Sequence, residues 1–149
     1  MSCVIQLADL PADPIALART LSDRPGVCAL WGADEGDVCY VGCDPVDASA
    51  ELCPESAPLG EDESELAGVP RWVGVLPYEA ARQAERPAFS PRPDPRPAPH
   101  LSRPCWIRYG AMARVSQNVT IVGDDPCAGR ELARLLRRAA SGRRGCSAT

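Results

Sequence analysis

Apolar positions along the chain recur with two periods, and the period predicts the element. Cys3 to Leu7 is a short apolar run of strand length. Asp13-Pro14 then opens a helix, with a capping carboxylate and a proline at the first helical position. Ile15, Ala18 and Leu21 follow at helical spacing, and Pro25-Gly26 ends the segment. Val27 to Trp31 and Val38 to Cys43 are strand-length runs on either side of a polar, glycine-containing turn from Gly32 to Asp37, which predicts a β-hairpin. Arg71 to Leu76 is again strand-like. Pro77 to Glu85 reads as a short helix, started by proline and favoured by Ala80, Ala81 and Ala84. Cys105 to Val115 and Asn118 to Val122 predict a second hairpin about Ser116-Gln117. Asp124-Asp125-Pro126 starts a last helix to about Ala140, with Leu132, Leu135 and Leu136 on one face and Arg130, Arg134, Arg137 and Arg138 elsewhere.

Two stretches break the pattern. Asp44 to Leu66 carries eight acidic residues, no basic ones and scattered prolines, and reads as a solvated loop. Pro87 to Pro104 holds seven prolines, which cannot donate to a ladder, so it reads as an extended connector. Hairpins joined by helices imply an α+β fold: a largely antiparallel sheet with flanking helices. The expected organisation is one domain over residues 1–140 and an irregular tail over 141–149.

Charge and composition narrow the function. The net charge of −4 offers no general attraction to nucleic acid or to anionic membranes. No apolar run reaches the length of a membrane span, and Met1 to Leu10 lacks the basic start of a signal peptide, so the expected location is cytoplasmic. All 16 basic residues are Arg, which with the abundant Ala, Pro and Gly reads as coding bias. Lysine chemistry and a phosphate loop of the Walker type are therefore excluded. The lone His100 lies in the proline-rich connector, and Asp62 and Glu63 lie in the acidic loop, so neither predicts a general base. Eight cysteines show no C-x-x-C pair, and the Cys39–Cys43 spacing fits a strand face packed with small apolar thiols rather than a metal site. No catalytic set and no metal ligands emerge.

Two segments resemble the N-terminal region of the chorismate-using synthases, the anthranilate synthase and aminodeoxychorismate synthase component I family. One is Val27-Cys28-Ala29-Leu30-Trp31-Gly32 with Tyr40-Val41-Gly42-Cys43-Asp44-Pro45, where Gly42 and Pro45 match a Gly-x-x-Pro turn. The other is Gly74-Val75-Leu76-Pro77-Tyr78-Glu79, similar to a Gly-Tyr-Leu-x-Tyr-Asp stretch. Trp106-Ile107-Arg108-Tyr109 fits the same layout, and the resemblance spans roughly residues 20 to 125. Trp31, Gly32, Gly42, Pro45, Gly74, Tyr78 and Glu79 mark it, as structural positions: glycines for tight turns, Tyr78 and Glu79 for a strand-to-helix junction.

The resemblance implies a portion of an α/β sandwich whose catalytic, chorismate-binding domain is absent from this sequence. It implies Mg in the full-length family but no cofactor in this chain. The implied partners are that catalytic domain and a glutamine amidotransferase that supplies ammonia. Trp31-Gly32 stands where tryptophan-inhibited members carry an acidic-Ser pair, which points to the para-aminobenzoate branch. Pro70 and Arg71 replace the glycines expected before Trp72. The tail Ser141 to Thr149 has no apolar pattern, and the expectation is a truncated or frame-shifted product, inactive alone and prone to self-association through an uncovered apolar face. The alternatives are an anthranilate synthase fragment, a stand-alone binding or regulatory module that pairs with a separate catalytic half, and an unrelated α+β domain with cysteine redox chemistry.

Overall fold

A computed structural model of the protein describes residues 2–31, 38–52, 54, 69–77 and 103–143. Within them the chain folds as β1 (Cys3–Leu7), α1 (Pro14–Thr20), β2 (Cys28–Trp31), β3 (Cys39–Gly42), β4 (Asp47–Ser49), β5 (Trp72–Val75), β6 (Cys105–Arg108), β7 (Ala111–Val115), β8 (Val119–Gly123) and α2 (Pro126–Arg143). The strands form two sheets. The larger runs β1-β8-β7-β3-β2 and the smaller runs β4-β6-β5. Every neighbouring pair is antiparallel. The α+β class expected from the alternating hairpins and helices is therefore the observed one. No helix among the described residues is long and apolar enough to cross a membrane.

Register puts one apolar set on one face of the larger sheet. Val41 pairs with Ala113, Ala113 with Ile121, and Ile121 with Ile5. Cys39 pairs with Val115, Val115 with Val119, and Val119 with Leu7. All of these except Ile5 are buried. Cys39, Val41 and Cys43 share this face, as their alternation predicts. Helix α2 packs on β1, β7 and β8, and α1 on β2 and β3. Leu132 and Leu136 of α2 are buried and Leu135 half-buried, so the expected face is the one used. Each fully buried leucine contributes about 1.5–3 kcal/mol.

Helix α1 is capped as its sequence predicts: the Asp13 carboxylate accepts from Ala16 N at 3.0 Å, with Pro14 in the first turn. Its buried face differs from the Ile15-Ala18-Leu21 row. Leu17 and Leu21 are buried four residues apart, while Ile15 is 51% exposed. The helix is only seven residues long, and the spacing of three apolar residues did not define which stripe meets the sheet.

Two further expectations are corrected. The run from Cys105 to Val115 is not one strand but two, because Tyr109-Gly110 carries the chain from the smaller sheet into the larger one. The acidic stretch after Asp44 is not all loop, since Asp47–Ser49 pairs with β6. Helix α2 continues past Ala140 to Arg143. The expected helix after Pro77, most of the proline-rich connector and the turn from Gly32 to Asp37 lie outside the described residues.

Candidate functional site

The residues that carry the family resemblance do not gather in one place. Trp31 ends the edge strand β2 and is 59% exposed. Gly74 lies on β5 opposite Trp106, in the other sheet. Gly32, Tyr78 and Glu79 lie outside the described residues. Among the described positions, Gly42 and Pro45 come to one place, Gly42 against Tyr109 and Pro45 against the Gly26 to which Tyr109 is bonded.

Tyr109 leaves β6 and lies buried against the end of β3. A Cβ at Gly42 would stand 3.1 Å from the Tyr109 ring and 3.2 Å from the Met112 methyl, so any side chain there makes the ring or the methyl shift by a few tenths of an ångström. The Tyr109 hydroxyl donates to the Gly26 carbonyl at 2.6 Å. Gly26 has φ +58°, the left-handed conformation that favours glycine. A Cβ there would meet Pro45 Cδ at 2.7 Å. Asp44 N donates to Pro25 O at 2.9 Å, and the Arg24 guanidinium bonds Asp44 Oδ2 through two nitrogens at 2.9 and 3.0 Å. The turn after α1, the turn after β3 and the exit of β6 thus form one knot. Pro25-Gly26 and Gly42-x-x-Pro45 were legible as turns. Tyr109 was not legible as the piece that joins them, because its partners are a backbone carbonyl and a glycine surface far away in sequence.

Two thiols border this knot. Burial pushes the Cys43 thiol up to about 12, helped by its hydrogen bond to Asp44. Burial also raises Cys28, although its contact with the Tyr109 hydroxyl pulls the other way. Tyr109 itself is raised, first by burial and then by Cys28. All three stay protonated at neutral pH, which is the opposite of an activated nucleophile. The cavity beside Cys43, Asp44, Gly110, Ala128 and Glu131 measures about 40 Å³. That is room for about one water molecule and far below a metabolite pocket of roughly 300 Å³ or more. No group of His, Cys, Asp and Glu able to hold a metal ion occurs among the described residues.

A second constellation lies where α2 begins. Asp125 caps the helix, its carboxylate accepting from Cys127 N at 2.8 Å and Ala128 N at 3.3 Å. Asp124 turns the other way and accepts from Arg108 at 2.6 Å, with Arg71 at 3.7 Å. The Asp-Asp-Pro sequence predicts the cap, but not that its first carboxylate ties the smaller sheet to the larger.

The smaller sheet has one face of a single character. Ala48, Ile107 and Val73 form one cross-strand row, and Cys105 pairs with Val75 beside it. Asp47, Ser49 and Arg108 alternate onto the other face together with two tryptophans, Trp72 and Trp106. Among the described residues the apolar face is only partly covered: Val73 and Ile107 are half-buried. Val75 is 51% exposed, Leu76 after it 40%, and Ala48 and Cys105 are exposed. An uncharged sheet face left partly open to water is what a packing surface looks like. It is the most distinctive surface feature among the described residues. No family model matches this chain, and no curated protein and no solved structure matches it either.

Proposed function

We propose that this chain is the N-terminal, non-catalytic portion of an aminodeoxychorismate synthase component I-like protein, a packing module that does not turn over chorismate alone. The observation that carries this reading is the apolar outer face of the smaller sheet. It includes Val75 and runs into Leu76, within the Gly74-Val75-Leu76 segment that bears the resemblance. A catalytic domain that covers this face gives those exposed side chains a partner. The protonated thiols and the small cavity beside Cys43 favour a structural role over chemistry of the chain's own. Mg-dependent amination of chorismate then belongs to the catalytic domain, and ammonia to a glutamine amidotransferase.

The test is reconstitution. The chain is combined with the catalytic half of an aminodeoxychorismate synthase component I and its amidotransferase, with chorismate, glutamine and Mg. The expected outcome is no turnover by the chain alone and gain of aminodeoxychorismate when both parts are present. Val75→Asp should abolish that gain while leaving the fold intact. Turnover by the chain alone, or no gain with the catalytic half, refutes the reading. One observation favours a second branch assignment being tested in parallel. Trp31 is exposed where tryptophan-inhibited relatives carry an acidic-Ser pair, so an anthranilate-forming catalytic half is the control. Production of anthranilate and not aminodeoxychorismate would move the chain to that branch. Stabilisation of the chain by a separately encoded partner that brings no chorismate chemistry would make it a stand-alone binding module.

A further inference from the structure

We propose that the three-stranded sheet β4-β6-β5 is a separately opening unit, latched to the rest of the protein by the Asp124 carboxylate. The inference does not depend on the family reading. It starts from burial. No residue of β4, β5 or β6 is buried, whereas β3, β7 and β8 supply most of the sheet side of the core. Among the described residues, the three strands pack chiefly on one another, and neither α1 nor α2 covers them. A small sheet with an only partly covered apolar face is marginal by itself. Its apolar side chains are at most half-buried, so opening it costs less hydrophobic burial than opening the larger sheet, which dismantles the core.

Polar side chains supply one attachment, and the Tyr109 N–H adds a backbone bond to the Arg71 carbonyl at 3.1 Å. Arg108 of β6 and Arg71, the residue before β5, converge on the single Asp124 carboxylate at 2.6 and 3.7 Å. Asp124 directly follows β8 and belongs to the larger sheet and α2. Two short covalent joints link the sheets: residues 43–46 between β3 and β4, and Tyr109-Gly110 between β6 and β7. Tyr109 stays with the larger sheet, because its side chain is seated on Gly42 and bonded to Gly26. Gly110 is held there as well, its carbonyl accepting from Asp125 N at 3.0 Å. The chain is thus fixed from Tyr109 onward, and the sheet that precedes it is tied back through Asp124.

Native-state amide hydrogen exchange of the full chain, read residue by residue by NMR, tests this. The Ile107 amide at the centre of the smaller sheet is expected to exchange roughly a hundredfold or more faster than Ala113 and Ile121, after correction for intrinsic rates. Asp124→Asn should speed exchange in β4, β5 and β6 by a further factor of roughly ten, the loss of one charge-assisted hydrogen bond at a partly exposed site. It should leave β7 and β8 unchanged. Arg108→Gln, which spares both carboxylates at the start of α2, should reproduce the effect. Equal opening constants for Ile107 and Ala113 in the unaltered protein overturn the proposal, because the two sheets then open as one. So does an equal acceleration of both sheets in Arg108→Gln.

Discussion

Replacing Gly26 by Ala isolates the knot that joins the three turns. Two costs are separable. Left-handed backbone at φ +58° disfavours any residue with a Cβ, by about 1–2 kcal/mol. The new Cβ would also stand 2.7 Å from Pro45 Cδ and 2.8 Å from Pro45 Cγ, and a proline ring cannot rotate away. Forced overpacking of this kind costs about 1–3 kcal/mol. Loss of the flexible glycine from the unfolded chain returns about 0.4–1 kcal/mol. The net expectation is a loss of about 2–4 kcal/mol, or roughly 4–15 °C in melting temperature for a chain of this size. Urea unfolding followed by far-UV circular dichroism reads it directly. The same substitution in a Pro45→Ala background should cost less by about 1–3 kcal/mol, because only the steric part is relieved. A Gly26→Ala protein within about 0.5 kcal/mol of the parent would refute the packing argument. A cost unchanged by Pro45→Ala would refute the role given to the ring.

Other outcomes follow from burial and charge. Ile121→Ala and Leu136→Ala should each cost about 2–5 kcal/mol in the same unfolding assay, while Ile15→Ala, at a position 51% exposed, should stay within about 0.5 kcal/mol. Among the described cysteines, Cys105 and Cys127 are exposed and should react first with a thiol reagent at neutral pH, so that Cys105→Ser and Cys127→Ser each remove one fast equivalent. Cys43 should stay unmodified until the protein unfolds. Because Cys43 holds its proton more tightly folded than unfolded, its contribution to stability is complete below about pH 9 and declines as pH rises toward about 12. Cys28 and Tyr109, also raised, add in the same direction. Urea midpoints measured between pH 8 and 11 should therefore fall, and fall less steeply in Cys43→Ala; identical slopes would contradict the assignment.

The parts of the fold visible in the sequence are those set by near neighbours. Asp13-Pro14 and Asp124-Asp125-Pro126 announce helix starts because a cap and a proline act within one turn. The hairpin of β2 and β3 and the apolar alternation of β3 are local for the same reason. What escaped is set by distant partners. The run from Trp106 to Val115, apolar but for Arg108 and Arg114, hides the passage between sheets at Tyr109-Gly110, since only the packing around Gly110 reveals it. Asp47 and Ser49 look like loop residues until β6 arrives to pair with Ala48. The partly covered face of the smaller sheet has no signature of its own. Val73, Val75 and Ile107 have the same side chains as core positions, and only the three-dimensional arrangement shows Val73 and Ile107 half-buried and Val75 exposed.

The pairing of β1 with β8 has a consequence for how the protein is made. Cys3 to Leu7 bond to Gly123 through Val119, more than a hundred residues later. At about 5–20 residues per second, the first strand waits roughly 6–25 s on the ribosome before its partner exists. During that interval its Val4 and Ile5 side chains have no sheet to join. A nascent-chain arrest placed before Val119 should leave the N-terminus open to proteases and chaperones. An arrest that lets α2 emerge should close it in a single late step.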